Sequence, residues 1–240
     1  MAFALLLVVG LLGLGTAAVG IAHRLLPRHF TAVQQRQIMA WEMERRWRVL
    51  PAGKIFPAVV PYTVSAAALE APASLTLQAQ RLGISPQESC SAAVTTAAAS
   101  VLEHGGCSAA FQATYVDASG SMVATVVVAV LPVSSAASSV ADALTAATYG
   151  APGPAQAFPV AGTAAAGFGD AQRQLARVEA AGPYVILSTA GFTDGRPGLV
   201  PADAYVDAEM ASLTEGLVNS AERVLGKRPP LPVCPGAPGC

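Results

Sequence analysis

The chain opens on an uninterrupted apolar stretch. Ala2 to Ala22 holds 21 residues without a charged side chain. At ~1.5 Å per residue a helix of this length reaches ~31 Å, the thickness of a bilayer's hydrocarbon core. The pattern predicts a transmembrane helix, with residues 1–23 as an anchor contacting the lipid bilayer through Ala2 to Ala22. Two other readings compete. A buried domain helix is rarely apolar all round. A cleaved signal peptide has a shorter apolar core and wants a basic n-region, which Met1 alone does not supply, although Gly20-Ile21-Ala22 has a small-x-small form. A retained anchor is expected.

Helical spacing follows. In Phe30 to Leu50, Met39, Met43 and Trp47 recur at i, i+4 and i+8, while Glu42, Glu44, Arg45, Arg46 and Arg48 fall largely elsewhere. This predicts a basic juxtamembrane helix within residues 24–54, ended by Pro51 and Gly53. Ile55 to Ala79 is punctuated by Pro57, Pro61 and Pro72 and reads as extended chain wrapping the domain. Ser85-Pro86-Gln87-Glu88 has the form of a capping box and predicts a helix start; Glu103-His104-Gly105-Gly106 supplies the stop.

Period two takes over next. Phe111 to Val116 and Met122 to Leu131 flank Asp117-Ala-Ser-Gly120, a hairpin pattern. Val126 to Leu131 is apolar on both sides and predicts a central strand covered on both faces. Ser134 to Thr148 reads as a small-residue helix, and Tyr149 to Pro159 as a loop. A second hairpin is expected from Gln174 to Ala180 and Tyr184 to Phe192, then a long helix over Asp203 to Leu225. The order β-β-α thus occurs twice. A second membrane span is not expected: the strongly apolar core of the uncharged Ala118–Ala141 stretch, Met122 to Val133, has 12 residues and is too short to cross. The predicted fold is an α+β domain over residues 55–227, an antiparallel sheet of four to six strands packed by helices behind the N-terminal transmembrane helix. Its two hairpins are expected side by side, with Val126 to Val130 near the centre.

Composition narrows the class of function. Of 240 residues only 12% are charged, and 14 basic against 15 acidic side chains leave −1. No dense cationic face is available for phosphate contacts, so no nucleic-acid partner is expected. Charge is also too sparse to hold the chain disordered. Two lysines and one asparagine, Asn219, beside twelve arginines read as GC-rich codon bias. The charge is unevenly placed: His23 to Lys54 carries +5 and the remainder −6. A basic helix beside a span can lie on anionic headgroups or stand as a solvated stalk.

Orientation sets two rules against each other. Arg24, Arg28, Arg36, Arg45, Arg46 and Arg48 all follow the span, which by the positive-inside rule places the body in the cytoplasm. Four cysteines, Cys90, Cys107, Cys234 and Cys240, argue for an oxidising compartment. A long domain translocates despite flanking charge, and an extracytoplasmic body on a single-pass membrane protein is expected. All four cysteines are read as structural disulfides. Three pairings exist; proximity suggests Cys90–Cys107 and Cys234–Cys240, the latter in a Pro/Gly-rich tail over residues 228–240. The first has a geometric consequence. One straight helix from Pro86 to His104 would put Cys90 ~21 Å from His104, and three residues return only ~10 Å. The helix must therefore break, and the break is expected at Thr95-Thr96, where threonine can cap a second short helix.

Candidate chemistry is sparse. No nucleophile-elbow, zincin, phosphate-loop or dinucleotide motif occurs. Cys234 to Cys240 lacks zinc spacing, and His104 near a helix end reads as a cap on carbonyls. Asp170, Asp194, Asp203 and Asp207 could supply a carboxylate pair, but loop and cap roles account for each. No catalytic, cofactor-binding or metal-ligating residue is assigned, and no cofactor is expected.

Ala52-Gly-Lys-Ile-Phe-Pro-Ala58, Ala113-Thr-Tyr-Val-Asp-Ala-Ser-Gly120 and Gly182-Pro-Tyr-Val-Ile-Leu-Ser-Thr-Ala-Gly191 resemble segments of uncharacterised actinobacterial single-pass membrane proteins with an extracytoplasmic α/β domain. The resemblance covers Val49 to Arg196 and implies a membrane-tethered domain; it carries over no activity. The layout is also similar to disulfide-bonded extracytoplasmic sensor domains. Three functions are thus set side by side: a non-enzymatic, sensor-like binding domain of the envelope; an accessory subunit of a membrane protein complex, with a protein partner in membrane or envelope; and an envelope hydrolase built from scattered Asp, Ser and His104.

Overall fold

The computed structural model describes residues 30–86, 89–147, 152–198 and 203–230. Met43–Lys227 forms one compact unit, and the described residues flanking it belong to a second. Helix α1 spans Ala32–Val49. It starts where it does because Thr31 and Gln34 make a reciprocal cap: the Gln34 N–H donates to Thr31 Oγ1 at 3.3 Å and the Thr31 N–H to Gln34 Oε1 at 3.0 Å. Pro51 ends α1, as expected, but one further helical turn follows, α2 at Ala52–Ile55.

Six antiparallel strands form one curled sheet: β1 Val59–Val64, β2 Leu75–Ile84, β3 Ala109–Val116, β4 Met122–Val130, β5 Leu175–Ala181 and β6 Tyr184–Phe192. Their order is β1-β2-β3-β4-β6-β5. The expected α+β class, the two hairpins and their adjacency through β4 and β6 are all present. Every residue of Met122–Val130 is buried, so this segment is the doubly covered strand its composition requires and not part of a helix. Helices α3 Thr96–His104, α4 Ser134–Ala147 and α5 Ala204–Leu225 cover the sheet. On one face Val60, Tyr62, Phe111, Val126, Val128 and Ile186 meet Met210, Leu213, Leu217 and Leu225 of α5. On the other, Val127, Ala129, Val185 and Leu187 meet Leu102 of α3 and Val140 and Leu144 of α4. The two β-β-α units therefore place their helices on opposite faces.

Two expectations need correction. Ile55 to Ala79 is not extended wrapping chain: it contributes β1 and the first part of β2, paired Val59↔Gln80 through Val64↔Leu75. Pro61 sits within β1 because that strand is an edge, where a missing N–H costs no ladder bond. Nor does a helix start at Ser85. Its N–H donates to Gln112 O at 2.9 Å, continuing the alignment of β2 on β3, and the helix begins ten residues later. Gln87 and Glu88 lie outside the described residues. Thr95 is the N-cap of α3, its Oγ1 accepting from Ala98 N at 3.4 Å, and Cys90–Cys107 is bridged with Cα atoms 6.3 Å apart. The bridge and the helix break near Thr95-Thr96 go together, as the reach argument demands. In the entropic account a closed loop of this size contributes ~3 kcal/mol.

Among the described residues no helix is long and apolar enough to cross a membrane; Ala2–Ala22 lies outside them. So do Cys234 and Cys240.

Candidate binding cleft

A polar-looking helix supplies one wall of the larger cleft. Arg46 near the end of α1 donates to the carbonyls of Val224 (3.3 Å) and Leu225 (2.9 Å), open C-terminal carbonyls of α5, and to that of Lys227 just beyond the helix. A guanidinium there satisfies acceptors that the helix itself cannot and meets the negative end of its dipole. Tyr184, fully buried on β6, donates its hydroxyl to Met43 O and accepts from Trp47 N at 3.4 Å. Gly182, at φ 61°, makes the β5–β6 turn, where a Cβ would lie 2.5 Å from Met43 Cε. These contacts hold the last turns of α1 on the sheet.

Trp47 is thereby presented to Phe111 of β3, ring centroids 5.4 Å apart and tilted by 55°. The exposed Arg48 guanidinium lies 4.9 Å from the Trp47 ring centroid. Helix α2 brings Ala52 and the buried Ile55 to the same place. Its exit is pinned by Arg81, which donates to Phe56 O, and by Tyr115, whose hydroxyl donates to Pro57 O at 3.0 Å. The result is a half-open cleft of about 370 Å³ lined by Trp47, Arg48, Leu50, Ala52, Ile55 and Phe111. Among the described residues its chemistry is two aromatic rings, aliphatic walls and one cation, with no carboxylate, imidazole, hydroxyl or thiol side chain.

A smaller cleft of about 240 Å³ lies where Thr95, the N-cap of α3, and Ala98 and Val101 within it approach Leu144 and Pro152. Arg173 lines it, but its guanidinium is committed: Nε lies 3.0 Å from Asp170 Oδ1, and Nη1 donates to Gly153 O at 2.7 Å and Ala155 O at 2.8 Å. It clamps the loop rather than presenting a binding group.

The residues singled out for chemistry are dispersed. His104 is exposed, its Nδ1 2.7 Å from Ser100 O one turn back. Asp170 pairs with Arg173 and accepts from Ala157 N at 2.9 Å. Asp194 is held by Arg196 below the usual carboxylate range, through the side-chain hydrogen bonds first. Asp203 caps α5 through Tyr205 N and Val206 N, and Asp207 lies in that helix's first turn. None of them lines either cleft. Among the described residues no group of three His, Cys, Asp or Glu is placed to hold a metal. His23 and His29 lie outside them.

Two arrangements escaped the sequence reading. One is the Trp47–Phe111–Arg48 cleft, whose partners are 64 positions apart. The other is Glu209, a buried carboxylate that accepts from Tyr62 OH at 3.1 Å and whose charge raises the Tyr205 phenol. Burial, then the charge and hydrogen bond of Glu209, push the Tyr62 phenol well above its ordinary range. Glu209 did leave a signal: it sits on the apolar stripe of Val206, Met210 and Leu213.

Compared with known proteins, the chain matches no family model, no curated protein and no solved structure.

Proposed function

We propose that this chain is a single-pass, membrane-anchored binding domain, displayed outside the cytoplasm, whose Trp47–Phe111 cleft takes a small anionic amphiphile: an apolar body ending in a carboxylate or phosphate. The observation that carries the reading is the cleft's lining. Apolar walls with a single polar anchor are the usual composition of a ligand site, and about 370 Å³ is within the usual size range. Arg48, the one charged group among the described lining residues, selects for an anionic end, and no acid among them competes for it. The Cys90–Cys107 bridge supports an oxidising compartment, and the apolar stretch Ala2–Ala22 supports the anchor.

Octanoate and octanol distinguish this reading from a generic greasy surface. In the full chain carried in zwitterionic lipid discs, with Trp41→Phe so that Trp47 alone reports, octanoate is expected to change tryptophan emission saturably. Arg48→Gln weakens octanoate about tenfold, the scale of one charge-assisted hydrogen bond, and leaves octanol unchanged. Equal response to both ligands in both proteins, or no saturation, rejects the cleft as the site. In native membranes, Cys90 and Cys107 are expected to resist thiol reagents until reduced; labelling without reduction places the body in the cytoplasm.

A further inference from the structure

Strand β5 is the free edge of the sheet, beyond β6. Its turn with β6 contains two residues, and Ala181↔Tyr184 closes it. In such a hairpin the closing pair exchanges both backbone hydrogen bonds, so Arg177 and Glu179, at the same parity as Ala181, also bond to β6. The N–H and C=O groups of Ala176, Val178 and Ala180 therefore point outward. None of these six has a hydrogen-bond partner among the described residues. An edge of this kind is a template for another strand unless its side chains repel one.

Its side chains select one particular strand. The sequence Ala176-Arg177-Val178-Glu179-Ala180 is symmetric about Val178 in size and complementary about it in charge. We infer that β5 pairs antiparallel with β5 of a second copy of this chain about a two-fold axis at Val178, joining two six-stranded sheets into one of twelve. In that register Val178 faces Val178 of the partner subunit, and Ala176 faces Ala180 of the partner subunit. All six outward groups are used. Arg177 faces Glu179 of the partner subunit twice, in the non-hydrogen-bonded positions where cross-strand side chains lie closest.

Other registers fail. A two-fold axis on Arg177 or Glu179 still aligns outward groups, but it sets arginine against arginine or glutamate against glutamate in the positions where cross-strand side chains lie closest. Centring on Ala176 sets Arg177 against a leucine, and centring on Ala180 drives it into Pro183 of the turn. Both charges are available: the Arg177 and Glu179 side chains are 38% and 43% exposed, bonded to each other at 3.0 Å within the strand, with Glu215 of α5 at 3.8 Å from Arg177. A two-fold normal to the sheet keeps its faces, so each α4 lies beside its counterpart. On α4, Ser138, Ser139, Asp142 and Ala143 are exposed, so each flank of the helix carries small side chains.

Sedimentation of the full chain in neutral detergent over a concentration series tests this independently of the cleft. The wild type is expected to show a reversible monomer–dimer equilibrium. Arg177→Glu sets glutamate against glutamate twice and Glu179→Arg sets arginine against arginine; each is expected to weaken the dimer about tenfold, and the double swap to restore it. Val178→Pro removes an N–H that the monomer does not use, so it abolishes the dimer while the monomer's melting temperature holds. A monomeric wild type, a dimer indifferent to the single reversals, or a double swap no better than the singles overturns the proposal. If Val178→Pro does not fold, the charge swap alone decides.

Discussion

Three hydroxyls show how single residues shape a segment that pattern leaves undefined. Thr114 Oγ1 donates to Phe158 O at 2.6 Å, so its 2.9 Å contact with Thr125 Oγ1 must be one that it accepts. Thr125 in turn accepts from Phe158 N at 3.0 Å, closing a ring in which each group is satisfied. Beside them on β6, Thr189 donates to Leu175 O at 3.1 Å. The loop after Pro152 carries little regular structure beyond a bridge of Ala155 to Val94 and one 3-10 turn at Asp170–Gln172, yet the ring ties its Phe158 to the sheet, and farther along Ala165 and Phe168 pack on Val123. Thr125→Val keeps the shape but leaves a Phe158 N–H and a Thr114 lone pair without partners. It is expected to lower unfolding free energy by about 1–3 kcal/mol in chemical denaturation, with the sheet's circular dichroism unchanged.

At the scale of an element, α5 illustrates how packing overrides propensity. Its apolar stripe and its Asp203 cap were legible along the chain, and the helix follows them to Leu225. Gly216, in mid-helix, costs ~1 kcal/mol relative to alanine on propensity alone. The reason it stands there lies in β1: a Cβ at this position would come within 2.5 Å of Tyr62 Cβ and 3.4 Å of the Pro61 carbonyl oxygen. Neither can give way without moving the strand. Gly216→Ala is therefore expected to destabilise the fold, by about 1–3 kcal/mol in the same assay, against the propensity gain. Stabilisation instead would mean that β1 yields easily and that α5 does not set its position.

For the molecule as a whole, the buried phenols make alkaline pH the sensitive direction. Burial pushes Tyr184 up to about 12 from the model-compound value of 10.0, and raises Tyr62 and Tyr115 further. A folded value above the unfolded one means that the folded chain holds the proton more tightly. The corresponding stability is complete below pH 10 and is lost as pH rises through the folded values, at up to about 1.4 kcal/mol per pH unit for each phenol. Denaturant midpoints should hold from neutral pH to about 10 and then fall. Tyr184→Phe should lower stability at neutral pH by about 1 kcal/mol, through its lost bonds to Met43 and Trp47, and flatten the decline between 10 and about 12.

Periodicity along the chain was enough for β3, β4, β5, β6, α4 and α5, because each buries a face whose spacing is local: two for strands, 3.6 for helices. The reach of three residues was enough to require a break before α3, since covalent geometry is also local. Where the relevant partner is distant, pattern failed. The β1–β2 hairpin was hidden behind prolines that an edge strand tolerates, and Ser85-Pro86-Gln87-Glu88 imitated a helix start inside a segment that β3 had already engaged. The last turns of α1, polar by composition, are held on the sheet by Arg46 on carbonyls of α5 and by Tyr184 on the α1 backbone. The cleft of Trp47, Arg48 and Phe111 exists only once those contacts are made, because none of its walls is complete within one element. Hydrophobic spacing names the elements; which edges meet, and which side chains then face one another across a gap, depends on long-range packing that no window of sequence contains.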